Sequence, residues 1–207
     1  MFLILDFTQT FKLAIIKNGN LIQKELNTKK NISEILILEV EKFIKKSNVN
    51  IKDLSSIYII TGPGSFTGIR SALTFAKSLK LTMKLNLFGL SKFELINYKI
   101  NINKFNKKRR IFLYFKDNQF FSQAFKGFKS ISEARLYNLD DEDLKFNDET
   151  TYIYDNILFE NSLRGEIFQK KANFFLVDYN LNQIKELTVN NMIENNDPKP
   201  LYISNYY

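Results

Sequence analysis

A glycine-rich turn at residues 62–68 holds the residue types and spacing best suited to bind or position another group. An apolar run, Ile57–Ile60, precedes the turn, and an amphipathic run begins at Ile69. Glycines permit backbone angles closed to other residues, a proline fixes one dihedral, and a serine can cap the helix that follows. The pattern predicts a strand, a tight turn and a helix. The turn consists of Gly62, Pro63, Gly64, Ser65, Phe66, Thr67 and Gly68.

Three uses of this turn remain open. The first is a phosphate site, because unpaired N–H groups at a helix N-terminus suit an anion. The second is a docking surface, because Gly68 lacks a side chain that would keep another surface away. The turn could equally be a strand-to-helix connection without a ligand. It is not a P-loop, because no Lys-Ser/Thr pair follows the last glycine, and its glycine spacing differs from the dinucleotide fingerprint.

Arg70 follows the turn directly. A cation in the first turn of a helix faces the positive end of the helix dipole, where it is mildly unfavourable. We therefore expect an anionic partner for Arg70. An intramolecular carboxylate, a partner chain and a phosphate are the three alternatives.

The composition excludes many classes of enzyme. The 207 residues include no cysteine and no histidine, which removes thiolate nucleophiles, disulfides, the usual general base and the commonest zinc ligands. Carboxylates could still hold Mg²⁺, and a lysine or hydroxyl could still react. The net charge of +8 allows attraction to nucleic acid, although an AT-biased coding sequence would also be lysine-rich.

The hydropathy pattern predicts a soluble, globular, cytoplasmic protein. No run approaches the roughly 20 apolar residues that a membrane span needs. Asp6 comes too early for a secretory signal peptide.

Periodicity and turn residues predict alternating elements in the first half of the chain. Asn31, followed by Glu34 three positions later, is typical of a helix start. The predicted strands are 2–7, 11–16, 21–22, 56–61 and 86–89, and the predicted helices are 32–47, 66–80 and one from residue 91.

The second half begins with a polar, basic stretch at 99–110, which we interpret as an inter-lobe connection or a tRNA-contacting patch. Ser130 and Glu133 suggest a capped helix. The other predicted elements are a hairpin of 111–115 and 119–125, strands at 152–154 and 174–177, and a helix between 180 and 193.

The order strand, strand, strand, helix, strand, helix, strand, helix is the half-domain order of the actin-like ATPase superfamily. Residues 62–70, GPGSFTGIR, closely resemble the signature of its TsaB (YeaZ) family. Residues 3–8 resemble the family's opening LAIDTS segment, and 200–203 its closing PLYLR, although Ser204 stands where the family has Arg. The resemblance is close over 1–95 and thin over 96–198.

The resemblance implies an α/β actin-like ATPase (ribonuclease-H-like) fold of two lobes, with mixed sheets flanked by helices. The lobes would be residues 1–100 and a smaller, degenerate lobe at 101–207, with 198–207 packing back on the first. The resemblance also implies a non-catalytic subunit that binds and activates a TsaD-like catalyst. TsaD transfers threonylcarbamoyl to N6 of adenosine 37 in tRNAs that read ANN codons.

The family further implies a TsaE-like ATPase in the assembled complex, a possible homodimer when the chain is alone, and no membrane contact. We expect no cofactor on this chain, whereas the complex uses ATP and Mg²⁺. Asp6 and Thr8 correspond to nucleotide-handling positions and would be vestigial. Helices 32–47 and 66–80 would face TsaD, with interface residues Ile32, Ile35, Leu36, Glu39, Phe66, Thr67, Gly68, Arg70, Ser71, Ala72 and Ala76.

Two alternatives belong to other classes of function. The chain could be an actin-like ATPase, kinase or peptidase-like enzyme that uses Asp6 and Thr8 with Mg²⁺. Phe7 argues against this alternative, because the hairpin in such enzymes keeps a small residue there. The chain could also be an RNA-binding module that contacts tRNA through the basic loop 104–110.

Overall fold

A computed structural model describes residues 1–28, 30–101, 108–117, 119–138, 149–155, 174–177, 180–189, 193 and 197–203. The chain divides into two compact units. Unit 1 comprises Met1–Lys92 and Leu181–Tyr202, and unit 2 comprises Phe93–Asn180 and Ile203–Tyr207.

Unit 1 is built on a five-stranded sheet of order β3-β2-β1-β4-β5. The first three strands pair antiparallel, and β4 and β5 join them in parallel. The strands are β1 (Phe2–Asp6), β2 (Phe11–Lys17), β3 (Asn20–Leu26), β4 (Ser56–Ile60) and β5 (Asn86–Leu90), and the helices are α1 (Ile32–Lys46), α2 (Phe66–Met83) and α4 (Asn182–Val189).

Alternating side chains give each face of this sheet its own core. The side chains of Leu3, Leu5, Ile57 and Ile59 belong to one apolar cluster with α1 and α2. Residues between them face the other way, where Tyr58 stacks on Phe88 with ring centroids 4.8 Å apart. A sheet covered on both faces needs apolar strands, and β4 is buried throughout.

Both long helices of unit 1 begin at the predicted caps. The Asn31 side chain accepts a hydrogen bond from the Ser33 N–H, and the Ser65 side chain accepts one from the Gly68 N–H. Since short polar side chains satisfy N–H groups left free at a helix start, these caps fix where α1 and α2 begin. The predicted element order of the first half is confirmed to within a few residues at each boundary.

Unit 2 contains a sheet of order β11-β10-β6-β7-β8, with β9 also paired to β7. The β6–β7 pair is antiparallel, whereas β10 joins β6, and β11 joins β10, in parallel. Among the described residues of this unit, the strands are β6 (Lys108–Lys116), β7 (Gln119–Lys126), β8 (Lys129–Ser130), β9 (Arg135–Asn138), β10 (Thr150–Asp155) and β11 (Phe174–Val177), and the helix is α3 (Lys92–Asn101).

The predicted helix at Ser130–Glu133 is wrong. This segment instead follows β7: the Ile131 N–H donates to the Ala124 carbonyl at 2.8 Å, and the Ala124 N–H donates to Ser132 Oγ at 2.9 Å. The serine that was expected to cap a helix lies in β8. Pairing with β7 satisfies backbone groups that a helix would have satisfied internally, and tertiary pairing overrides the local signal.

Candidate functional site

The glycine turn of unit 1 packs directly against the loop that follows β1. A Cβ atom on Gly64 would lie 2.1 Å from the Thr8 carbonyl oxygen, and one on Gly68 would lie 2.3 Å from the Phe7 carbonyl oxygen. The Ser65 N–H donates to that same Thr8 oxygen at 2.6 Å. The surface that approaches these two glycines is therefore the chain's own backbone.

Two N–H groups of the turn, and that of the residue after it, are hydrogen-bonded within the chain. Besides Ser65, the Gly68 N–H donates to Ser65 Oγ at 3.2 Å, and the Ile69 N–H donates to the Ser65 carbonyl at 2.9 Å. Groups already bonded in this way are not available to a phosphate. This arrangement favours a structural or docking role for the turn over a phosphate cradle.

Asp6 and Thr8, the predicted vestigial nucleotide-binding pair, are brought together at the end of β1. Asp6 accepts hydrogen bonds from the Thr8 hydroxyl at 2.6 Å and from the Thr8 N–H at 3.2 Å. Both residues are only 1% exposed. Phe7 between them is fully buried and packs edge-on against Phe11. In this conformation the carboxylate is covered by the surrounding protein.

A groove of about 580 Å³ runs between α1 and α2 on the surface of unit 1. Its lining is mainly apolar and includes hydroxyl side chains from both helices. Ile37, one of the lining residues, is 67% exposed. The groove is lined by Ser33, Leu36, Ile37, Arg70, Ser71, Thr74, Phe75, Ser78, Leu79 and Thr82.

The predicted interface residues fall into three groups. Leu36, Arg70 and Ser71 line the groove. Exposed or half-buried positions near it are Phe66, Thr67, Ile35 and Glu39, and buried positions are Ile32, Gly68, Ala72 and Ala76. The buried residues hold α1 and α2 in place, so a partner on this face would meet the exposed side chains of the same helices.

The groove residues that sequence reasoning missed are on the same two helices. One signal could have found Ile37: residues 35–38 of α1 are four consecutive apolar residues, and a helix cannot turn all four toward one core. Ile37 and Leu38 are accordingly exposed. The missed residues of α2, such as Thr74 and Ser78, carry no such signal, because hydroxyl side chains are ordinary on an exposed helix face.

Arg70 is exposed and lies over the ring of Phe66, with its guanidinium carbon 4.4 Å from the ring centroid. The ring of Tyr202 also adjoins Phe66, with its centroid 5.6 Å away. Within the described parts of the chain, no carboxylate forms an ion pair with Arg70. The aromatic face partly compensates the unfavourable position of this cation at the helix start.

Beside the groove, Glu39 of α1 accepts hydrogen bonds from two lysines. Lys24 Nζ lies 2.8 Å and Lys42 Nζ 3.2 Å from its carboxylate oxygens. These contacts hold the pKa of Glu39 below its ordinary value. The charge of Glu39 is therefore neutralised locally.

The basic stretch 104–110 divides by environment. Residues 104–107 lie outside the described residues, and Lys108 is exposed. Arg109 is fully buried and donates to the Gly127 carbonyl, and half-buried Arg110 donates to Ser122 Oγ and the Tyr137 hydroxyl. Burial lowers the pKa of Arg109. The two arginines thus form hydrogen bonds within unit 2, and of residues 108–110 only Lys108 is exposed to solvent.

Neither a metal cluster nor a membrane helix is found in the ranges that the structure covers. No group of three or more histidine, cysteine, aspartate or glutamate residues there could hold a metal ion. No helix there is long and apolar enough to cross a membrane.

Comparisons with known proteins match a TsaD family model and proteins named TsaB. The model of TsaD, tRNA N6-adenosine threonylcarbamoyltransferase, matches residues 22–115. A Buchnera aphidicola (subsp. Schizaphis graminum) protein named tRNA threonylcarbamoyladenosine biosynthesis protein TsaB is 30% identical over 97 residues, 47% of this chain and 46% of that protein. The Bacillus subtilis protein of the same name is 29% identical over 86 residues, 41% of this chain and 38% of that protein.

These matches span less than half the length of the curated relatives. The fold likeness extends further: YeaZ from Pseudomonas aeruginosa has a TM-score of 0.67 at 12% identity, over 98% of this chain and 99% of that one. At this identity the likeness shows the fold alone, two mixed sheets flanked by helices. Together with the signature at 62–70, the TsaB-named relatives and the structural likeness support the TsaB (YeaZ) family for this chain.

Proposed function

We propose that this chain is a non-catalytic subunit that binds and activates a TsaD-like protein in the threonylcarbamoylation of adenosine 37 in tRNAs that read ANN codons. A role in this tRNA modification is supported by the names of its relatives and by the TsaD family match. The observation that carries the docking proposal is the groove between α1 and α2.

The groove suits a partner helix. Along α2, short side chains follow one another at helical spacing and project little from the helix: Ser71, Thr74, Ser78 and Thr82. Short side chains allow another helix to approach closely, since the distance between helix axes depends on the side chains at the contact. Ile37, Phe75 and Leu79 supply apolar area for such a helix. An amphipathic helix in an apolar groove is a recurring mode of recognition.

A non-catalytic role is supported by the side chains that the chain offers. It has neither histidine nor cysteine, and the Asp6 carboxylate is buried and bonded to Thr8. We accordingly propose that ATP and Mg²⁺ act on other subunits, among them a TsaE-like ATPase, and that the complex works in the cytoplasm. The same groove is our proposed contact for a homodimer when the chain is alone.

Titration calorimetry with the TsaD-like protein of the same genome tests the docking proposal. Ile37→Glu places a charge in the groove at an exposed position, so folding is retained while affinity falls by about thirtyfold or more. Leu81→Glu is the matched control, because Leu81 is a highly exposed apolar residue of α2 outside the groove lining.

Equal affinity of the two variants would contradict docking in the groove, and no binding by the wild type would contradict the partnership. Activation needs its own measurement: threonylcarbamoylation of tRNA by the TsaD-like protein should rise when this chain is added. The chain alone should neither modify tRNA nor hydrolyse ATP.

A further inference from the structure

Three lysines lie side by side across one end of the unit 2 sheet. Lys108 of β6 is directly opposite Lys126 of β7, and Lys126 is directly opposite Lys129 of β8. Directly opposite residues project from the same face of a sheet, and neighbouring strands are about 4.8 Å apart. We call Lys108, Lys126 and Lys129 the lysine row.

The lysine row is electrostatically unfavourable by itself. Like charges directly opposite one another destabilise a sheet, and here the arrangement occurs twice in succession. All three side chains are exposed. In the portion of the chain that the structure covers, no carboxylate forms an ion pair with any of them. The row therefore presents concentrated positive charge that an anionic partner would neutralise.

An exposed aromatic ring adjoins the row. Gly127 and Phe128 form the two-residue turn between Lys126 and Lys129. Phe128 is 54% exposed, and its ring is 6.0 Å from that of buried Tyr98 on α3. Exposure of this large apolar side chain to water does not stabilise the protein. The ring offers a flat face to a ligand that carries both negative charge and a ring.

Buried polar groups hold this turn in place. The Gly127 carbonyl accepts a hydrogen bond from Arg109 Nη2 at 2.8 Å and another from Asn97 Nδ2 at 3.0 Å. Both donors are almost completely buried. Gly127 has a φ of +61°, which suits the first position of a type II′ hairpin turn. The position of the turn is thus fixed before any ligand arrives, which lowers the entropy cost of binding.

We propose that the lysine row and Phe128 form a binding surface for RNA, with backbone phosphates on the lysines and an unstacked base on the ring. Proteins that bind single-stranded nucleic acid commonly combine basic grooves with aromatic rings. An acidic protein would satisfy the lysines but would not require the ring. The choice of RNA, and of tRNA in particular, rests on the proposed function, whereas the preference for a single-stranded nucleic acid rests on these four side chains.

Fluorescence anisotropy with a labelled tRNA transcript and the full chain, from 50 to 200 mM salt, tests the surface. The triple variant Lys108→Gln/Lys126→Gln/Lys129→Gln should reduce the slope of log affinity against log salt by about 2, since each phosphate contact in a single strand contributes about 0.7. The control is Lys30→Gln/Lys46→Gln/Lys52→Gln, which removes three exposed charges from unit 1. The control should leave the slope nearly unchanged.

The ring is tested separately. Phe128→Ala and Phe128→Leu should each weaken tRNA binding by about tenfold, because stacking requires an aromatic face. The proposal is overturned if the wild type does not bind tRNA or if the control triple variant flattens the slope equally. It is also overturned if only the lysines matter, because that result indicates a general anion site or an acidic protein partner.

These outcomes are distinguishable from failure of the proposed function. None of the variants alters the groove between α1 and α2, so binding of the TsaD-like protein should persist in all of them. Loss of that binding in Ile37→Glu, with tRNA affinity of the isolated chain retained, supports two independent surfaces.

Discussion

The two sheets of this chain have the same strand order, but they differ in the loops that connect their strands and in the residues at the strand ends. In unit 1 an antiparallel β1–β2–β3 meander is continued in parallel by β4 and β5. In unit 2, β6 and β7 pair antiparallel, and two short strands, β8 and β9, both pair with the other side of β7, where unit 1 has the single strand β3. Strands β10 and β11 continue the sheet in parallel. The framework is thus built twice, and the specific chemistry comes from what connects the strands.

The first connection of each sheet shows the difference. After β1, residues 7–10 form a loop that receives the glycine turn, whereas only two residues separate β6 from β7, and the first of them, Asp117, has a φ of +47°. At the far end of the hairpin, unit 1 places Phe2 opposite Ile16, but unit 2 places Lys108 opposite Lys126. One sheet has an apolar pair where the other has two cations.

The largest expected effect tests the glycine turn. Gly64→Ala should lower the free energy of unfolding by at least about 3 kcal/mol, because its Cβ would overlap the Thr8 backbone, which cannot rotate away. Gly127→Ala in unit 2 is the control: no atom lies within 4 Å of its Cβ, so only the positive φ costs stability, about 1 kcal/mol. Urea unfolding measures both, and equal losses would show that the turn is not tightly packed.

The next effect concerns the buried cation of unit 2. Arg109→Ala should cost about 3 kcal/mol of unfolding free energy, because it leaves a cavity and removes a donor from the Gly127 carbonyl. The preceding residue provides the control, since Lys108 is exposed and Lys108→Ala should change stability by less than about 0.5 kcal/mol. If the two variants unfold at the same urea concentration, Arg109 does not stabilise the turn.

A smaller effect is expected where α4 joins the sheet of unit 1. Thr188 Oγ1 lies 3.1 Å from the hydroxyl of Tyr58, whose pKa is raised by burial. Tyr58→Phe and Thr188→Val should each cost about 1 kcal/mol, with the double variant costing less than the sum. Thermal unfolding of the four proteins gives this coupling, and strict additivity would argue that the two hydroxyls do not interact.

The smallest effect is pH-dependent and lies beside the groove. Because Lys24 and Lys42 lower the pKa of Glu39 in the folded chain, the stabilisation is complete above the unfolded pKa of about 4.5 and is lost as the pH falls through the folded value. Glu39→Gln should therefore cost at most about 1 kcal/mol at pH 7 and less than that at pH 3. A difference from wild type that is the same at both pH values would contradict this origin.

The sequence alone was sufficient for features that depend on a few adjacent residues. The caps Asn31 and Ser65 and the strand–turn–helix at 57–70 were all predictable. Local sterics and short hydrogen bonds determine them. The predicted helix at Ser130–Glu133 failed for the complementary reason, because pairing with β7 outweighed the local capping pattern.

Which distant groups meet was decided only by the tertiary structure. No local pattern indicates that the N–H of Ser65 bonds to the carbonyl of Thr8, or that Arg109 is buried while its neighbour Lys108 is exposed. The lysine row exists only because two hairpin registers align residues 108, 126 and 129. Register and burial are properties of the whole sheet, since a shift of one residue turns every side chain to the opposite face.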